Sequence, residues 1–501
     1  MNSLMHRSGG IALGMAIALG VAGCAVGPNY QPPTPKLPES YGQPTTRPLT
    51  ADIARWWETF NDPTLESLIH RGIESNLDLQ LAEARIRESR AARGVARADY
   101  WPTVDANASY SRNSRSNNIN SFAGSSTGGA GASPGFGPRE TDFFQVGFDS
   151  TWELDVFGSV RRSVEAAEAD IEASLEDRRD VLITLLGDVA QNYIVLRGRQ
   201  RQLDITQANL KSQQETLALT QARFRAGLVG ELDVARAQAL VASTASTIPS
   251  REQDVQQAIH RISVLLGEQP QALAAELQAT GPIPSGVGVV PTGLPSDLLR
   301  RRPDIRRAER QLAAQTARIG VATADLFPRF SLTGSLGLQS QKFTNLFESN
   351  SLFWGIGPGV TWNIFNAGKV RSNIEIQNAR QQQALVQYQQ AVLSSLEEVD
   401  NALVAYDREQ SRRVSLAQAV DANRRAVDLA NQLYTRGLVD FLNVQESQRS
   451  LLISEDALAQ SDALVSSDLV ALYKALGGGW EDLEANANAK DANAKENAKT
   501  Q

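Results

Sequence analysis

The two halves of this 501-residue chain repeat one another. Asp78-Leu79-Gln80-Leu81-Ala82-Glu83 matches Asp304-Ile305-Arg306-Arg307-Ala308-Glu309 at an offset of 226. Ala98-Asp99-Tyr100-Trp101-Pro102 matches Ala324-Asp325-Leu326-Phe327-Pro328 at the same offset. Further along, Trp152-Glu153-Leu154 matches Trp362-Asn363-Ile364 at 210, and Gly227-Leu228-Val229 matches Gly437-Leu438-Val439 at 210. The first half therefore holds sixteen extra residues, within the Ser-, Gly- and Asn-rich tract Asn113 to Pro138. That composition suits a long surface loop. Two copies of one supersecondary unit are the framework into which every other feature must fit.

Most of each copy is helical. Ser159 to Arg225 contains no proline, and apolar residues return every seventh position: Leu175, Leu182, Val189, Leu196, Leu203, Leu210, Leu217 and Phe224. Shifted by 210, the same register reads Leu385, Val392, Val399, Tyr406, Arg413, Val420, Val427 and Tyr434. A sustained seven-residue period specifies left-handed coiled-coil packing. A helix of this length extends about 100 Å at ~1.5 Å per residue. Each long helix ends at a glycine, Gly227 or Gly437, suited to the left-handed position after a helix. Asp233 or Asp440 then caps or charge-stabilises the next helix. The return helices are expected through Ala235 to Ser246, where Pro249 interrupts, and from Phe441 to Leu476. The hairpins span 159–266 and 368–476.

Each half also carries two segments of strict alternation, expected as strands over 101–112, 142–157, 328–339 and 352–365. Val104, Ala106, Ala108 and Tyr110 alternate with Thr103, Asp105, Asn107 and Ser109, for example, and Phe330, Leu332, Leu336 and Leu338 with Arg329, Ser331, Thr333 and Ser335. Period two with one apolar face means strands. A soluble sandwich alternates in the same way, but only four such segments exist and no second sheet is available to cover them. Strands apolar on one side and polar on the other are the unit of a transmembrane barrel, with Tyr110, Trp152 and Trp362 suited to its interface girdles. Four strands cannot close a barrel without leaving edges unpaired in lipid, so the chain must oligomerise.

The N-terminus reads as an export signal. Arg7 is followed by the short apolar run Ile11 to Ala22 and then Val21-Ala22-Gly23-Cys24, which holds the only cysteine. The apolar run is too short to span a bilayer as a helix. The boundaries that follow are 1–23 for the signal, 24–60 for an extended segment, 61–280 for the first repeat and 281–300 for a linker. Residues 301–476 form the second repeat, and 477–501, with its Ala-Asn-Ala-Lys repeats, a tail expected to be disordered.

Val-Ala-Gly-Cys resembles a bacterial lipobox, which implies acylation of Cys24. The duplication, the Trp101-Pro102 and Phe327-Pro328 strand openings, and Gly293-Leu294-Pro295-Ser296-Asp297-Leu298-Leu299-Arg300-Arg301-Arg302-Pro303-Asp304-Ile305 resemble the outer-membrane factor (TolC-like) family. Together with Cys24 they resemble its NodT-type lipoprotein branch, over roughly Trp56 to Trp480. The resemblance implies a fold that is mainly α with a membrane β-barrel. It implies a homotrimer with a twelve-stranded outer-membrane barrel and a long periplasmic α-barrel, held in the outer membrane by lipid. Such a trimer is the passive, gated exit duct for small molecules such as drugs in a tripartite RND-type efflux system. Its partners are a periplasmic adaptor and an inner-membrane RND transporter. A type I protein secretion channel has similar architecture; the lipobox and the Gly293–Ile305 segment favour efflux.

The family's gate maps onto the hairpin tips. Tyr434 and Asp233 match a tyrosine–aspartate link, Leu442 an apolar constriction, Glu446 an acidic ring and Arg449 a basic neighbour of that ring. Asn443 replaces a carboxylate, and Val439 an arginine, found in relatives. Three converging Leu442 side chains would exclude water by dewetting, and three Glu446 carboxylates would attract cations. Spacing alone describes Glu446 and Arg449 as an exposed i, i+3 pair. Gly227, Leu228, Gly437 and Leu438 are candidates for adaptor contact.

Composition excludes other classes. Lys+Arg is 49 against Asp+Glu 56, with no basic block, which argues against nucleic acid. All three methionines precede Cys24, leaving no thioether relay for soft metals, and no metal site or cofactor beyond the lipid is expected. His-Glu-x-x-His and Walker A sequences are missing, and Gly-x-Ser-x-Gly occurs only inside the Ser-, Gly- and Asn-rich tract, from Gly124 to Gly128 and from Gly131 to Gly135, where no strand-to-helix turn is expected, so an enzyme is not expected.

Overall fold

The chain divides into two compact units: residues 1–32, 88–171 and 311–385, and residues 33–87, 172–310 and 386–501. The computed structural model describes residues 25–38, 51–114, 116, 140–286 and 295–481. Cys24 and the signal segment, nearly all of the Ser/Gly/Asn-rich insertion, Gly293-Leu294 and the Ala-Asn-Ala-Lys tail lie outside them.

The first unit contains a sheet. Strands β1 (Thr103–Ser114), β2 (Glu140–Leu154), β3 (Arg329–Ser340) and β4 (Leu352–Thr361) pair in chain order, each antiparallel to the next. The register sorts the alternation into two faces. Ala106, Phe148, Leu336 and Trp354 lie opposite one another in one row, and Asp105, Asp149, Ser335 and Gly355 in the adjacent row on the other face. On the polar face the Asn107 amide donates to the Asp149 carboxylate. The apolar face stays uncovered, with Phe148 58%, Leu336 53% and Trp354 72% exposed. β1 and β4 are both edges.

Two strands end earlier than their alternation does. β2 stops at Leu154 because the Asp155 carboxylate turns to the next helix, accepting from the Val160 and Arg161 backbone N–H groups at 3.0 and 2.9 Å. β4 stops at Thr361, and Trp362 bends away to donate from Nε1 to the Leu326 carbonyl at 3.1 Å. Trp152 makes the equivalent bond to the Tyr100 carbonyl at 2.9 Å. The duplication is thus a repeated hydrogen bond as well as a repeated sequence.

The principal helices are α1 (Pro63–Ser75), α2 (Leu77–Ala98), α3 (Ser159–Arg225), α4 (Glu231–Leu265), α5 (Pro303–Ala324), α6 (Lys369–Thr435) and α7 (Phe441–Ala475). α3 and α6 each have 67 residues, and α4 and α7 each have 35. In the second unit the core gathers Leu186, Val189, Tyr193 and Ile194 of α3, Ile259 and Ile262 of α4, and Leu469 and Val470 of α7. Burying such apolar surface stabilises the bundle by about 25 cal/mol per Å².

Four expectations need correction. Pro249 does not interrupt α4, which runs through it to Leu265. The proline lies on an exposed side, where solvent can take the carbonyl it frees, and packing of Val255, Ile259 and Ile262 outweighs the lost bond. The segment 24–60 is not extended throughout, since Ala51–Phe60 forms a 3₁₀ helix with Trp56, Trp57 and Phe60 buried. Trp56 stacks on Tyr473 at 5.5 Å between ring centres. Residues 477–481 belong to the folded chain, for the Trp480 indole donates to the Arg301 carbonyl at 3.1 Å beneath the Arg179 guanidinium. The linker 281–300 is partly built in: Ser466 Oγ donates to the Pro284 carbonyl, and Pro295–Arg301 is helical.

The heptads also need refining. In α6, Val392, Val399, Val420, Val427 and Tyr434 are buried, whereas Arg413 is exposed and pairs with Asp462. In α3, Leu182, Val189 and Leu196 are buried, but Leu210 and Leu217 are only half-buried and Phe224 is exposed. A straight helix drifts against a seven-residue repeat, so the buried line moves to other positions.

Candidate functional site

The two hairpin tips lie in the second unit and share one backbone motif. Gly227 (φ +72°) and Gly437 (φ +75°) adopt left-handed conformations that a Cβ would strain. Gly227 N–H donates to the Phe224 carbonyl and Leu228 N–H to that of Arg223, both at 2.9 Å. Gly437 and Leu438 repeat this pair with Tyr434 and Leu433, again at 2.9 Å. These are Schellman endings, which satisfy orphan carbonyls and reverse the chain. Neither return helix receives a side-chain cap: Gly230 caps α4, and Asp440 caps α7 by backbone position alone. Glu231 and Asp233 in the first turn of α4 act there through charge.

Between the tips sits a small apolar cluster of Ala237, Ala430, Tyr434, Phe441 and Val444, with Leu217, Val229 and Val439 packed against it. Tyr434 is 2% exposed and meets Phe441 edge-on at 5.8 Å. Its hydroxyl donates to Thr220 Oγ1 at 3.3 Å, so no hydrogen bond joins it to Asp233 within this chain. Arg223 binds the tips more firmly. Its Nη1 donates to the Tyr434 and Thr435 carbonyls, both at 2.8 Å, and its guanidinium lies 4.8 Å from the Tyr434 ring centre. A cation from α3 thus neutralises the negative end of α6.

Sequence reading missed Arg223, Thr220 and Phe441. A basic residue in the last turn of α3 is a visible signal, but it points to the carbonyls of its own helix. Only the fold brings those of α6 beside it.

The gate candidates on the return helix lie in the first three turns of α7. Leu442 is 54% exposed, and Asn443 Nδ2 reaches the Asp440 carbonyl at 3.5 Å. Arg449 donates to Glu446 at 3.0 Å with both side chains mostly exposed. Leu228 and Leu438 are 65% and 66% exposed at the two turns. Apolar side chains held out at rigid turns offer a contact surface.

The first unit fixes the chain just after Cys24. Val26 N–H donates to the Phe157 carbonyl at 3.1 Å, and buried Arg162 donates to the Val26 and Gly27 carbonyls and to Asn29 Oδ1. At Gly27 (φ +91°) a Cβ would lie 2.5 Å from the Gly320 Cα, so only glycine allows this approach. The chain is thereby held beside the end of β2 and the start of α3.

The sequence pattern of the outer membrane efflux protein family matches residues 68–268 and again residues 294–478. The chain is 33% identical over 477 residues to the solvent efflux pump outer membrane protein SrpC of Pseudomonas putida, covering 94% of this chain and 98% of that one. It is 32% identical over 461 residues to nodulation protein T of Rhizobium leguminosarum bv. trifolii, covering 92% and 95%. Among solved structures, the outer-membrane channel OprN superposes with a TM-score of 0.81 at 37% identity, covering 91% of this chain and all of that one.

Proposed function

The chain belongs to the outer membrane efflux protein family, and from that premise we propose that it works as a passive, gated exit duct assembled from three copies. It is an outer-membrane efflux channel, mainly α-helical with a membrane β-barrel. The observation that carries the proposal is the sheet: four strands, two free edges, one exposed apolar face and one polar face. In lipid both edges must be satisfied, and pairing β4 of one copy with β1 of the next does so around a closed ring. The apolar face then meets hydrocarbon and the polar face lines water.

The long hairpins form the periplasmic part, and their tips are the gate. Leu442 constricts the axis, Glu446 with Arg449 sets the charge beside it, and Tyr434 and Asp233 belong to the closed tip. Leu228 and Leu438 receive a periplasmic adaptor, which couples the duct to an inner-membrane RND transporter that supplies the energy. Acyl chains on Cys24 add an anchor in the outer membrane. A relative named for solvent efflux supports small molecules as the class of substrate.

The test is a deletion strain. Loss of the protein should raise susceptibility to drugs, organic solvents or metal salts, and the wild-type gene should restore resistance. Unchanged susceptibility across all three panels would overturn the efflux role.

A further inference from the structure

The lower half of α3 has a core unlike that of its upper half. Above Arg197 the buried positions are Leu182, Leu186, Val189, Tyr193 and Ile194, packed on apolar residues of α4 and α7. Below it, the buried positions at alternating spacings of four and three are Gln202, Thr206, Asn209, Gln213, Thr216 and Thr220, all polar. Ile205 is the one apolar residue of α3 buried beside them. That spacing is the inward seam of a coiled coil, where apolar residues ordinarily sit.

The seam satisfies itself partly within the helix. Thr206, Thr216 and Thr220 hydroxyls and the Asn209 amide each donate to the carbonyl one turn back, at 2.8 to 2.9 Å. Such back-bonding slightly destabilises and bends a helix. The bonds across to α7 are single and polar: Gln448 Nε2 to Thr216 Oγ1 at 3.0 Å, and Asn209 Nδ2 to Glu455 at 3.1 Å. Gln213 is 3% exposed, yet neither its Nε2 nor its Oε1 has a hydrogen-bond partner. The Oε1 atoms of Gln445 and Gln448 on α7 are likewise buried without partners. A donor and acceptors left unmatched on two facing helices are a cost in this arrangement that a displaced one can relieve.

We propose that this polar seam is a slip plane, along which α7 moves on α3 when the tips part, with the Gln213 amide pairing with Gln445 or Gln448 in the displaced arrangement. The inference rests on the reading of the tips as a gate. Interdigitated apolar side chains resist sliding, whereas exchangeable hydrogen bonds between short polar side chains permit a second register at similar free energy. The apolar upper half of α3 then serves as the fixed end.

Two variants test it in the full-length trimer. Filling the seam with apolar residues on both helices (Gln213→Leu, Thr216→Val, Gln448→Leu) should raise the thermal midpoint and lower single-channel open probability in planar bilayers at least fivefold. Wild-type open probability in a stabilised variant would overturn the proposal. Should that variant fail to assemble, the double substitution Thr216→Cys with Gln448→Cys, at positions whose parent side chains are in contact, pins the seam reversibly once its oxidised bridge, direct or through a short bis-methanethiosulfonate, is verified by thiol titration. Oxidation should silence the openings and reduction restore them. Openings that persist in the oxidised trimer sink the slip plane while leaving the duct in place, whereas a wild-type protein that forms no channel sinks the duct itself.

Discussion

The Arg223 guanidinium lies over the Tyr434 ring and takes two carbonyls from the end of α6, joining two hairpins that are more than two hundred residues apart in sequence. Hydrogen bonds from a charged donor contribute about 1.5–3 kcal/mol each when buried, and less where solvent reaches them. Arg223→Ala should therefore loosen the tip and raise mean single-channel conductance. Arg223→Lys, which keeps the charge but loses the fork, should fall between alanine and wild type. Equal conductance in all three proteins would remove Arg223 from the gate.

Tyr434 and Thr220 make a second, neutral bond nearby. Removing the hydroxyl in Tyr434→Phe or its acceptor in Thr220→Val should each increase conductance modestly. The double variant should do no more than either single one, because both delete the same interaction. Asp233→Ala separates two possibilities: a large effect, additive with Tyr434→Phe, would mean that Asp233 acts across the contact between copies. Fully additive effects of Tyr434→Phe and Thr220→Val would dismiss the pair.

Much of the architecture was legible in the sequence because periodicity reports it directly. The duplication, the four strands, the ends of α3 and the glycines at both turns follow from repeats, alternation and Gly placement. The seam of α3 did not, since the seven-residue line through Leu203, Leu210 and Leu217 looks like a core and is half exposed. Hydrophobicity alone cannot identify a buried polar line. For the proposed gate, the resemblance supplied Leu442, Glu446 and Tyr434, but Arg223 stayed hidden because its partners lie on a distant helix. Pro249 misled because a local rule about proline was outweighed by packing sixteen residues or fewer away.

Burial is the main cause that raises the Asp468 pKa above the ordinary carboxylate value, with the Glu409 charge adding to it. A raised folded-state value means that the folded protein binds this proton more tightly than the unfolded chain does. The contribution to stability is therefore present at low pH and lost as pH rises through the folded value. Asp468→Asn keeps the shape and removes the charge. It should melt about 1–3 °C higher than wild type at pH 8 and show no such gain near pH 4. A gain that is the same at both pH values would contradict this account.

Cys24→Ser should abolish incorporation of labelled fatty acid while trimers still form, because strand pairing and helix packing do not need the lipid. The hold of Arg162 on Val26, Gly27 and Asn29 is independent of acylation. Label on the serine variant would refute the anchor, and loss of trimers would assign the lipid a role in assembly.

Leu228 and Leu438 can be separated from the gate. Both are exposed and outside the Tyr434 cluster, at turns whose backbone bonds do not involve their side chains. Leu228→Ser with Leu438→Ser should leave the tips folded and the conductance of the isolated trimer unchanged. Each lost apolar contact weakens docking by about 1–2 kcal/mol if the leucine is buried by the adaptor. Together they should reduce adaptor capture by about tenfold or more, and cells should become as susceptible as the deletion strain. Gly437→Ala has a different signature: with φ at +75°, it strains the turn itself and should lower stability as well as capture. If the leucine pair reduces conductance without reducing capture, these residues belong to the gate and the adaptor binds elsewhere.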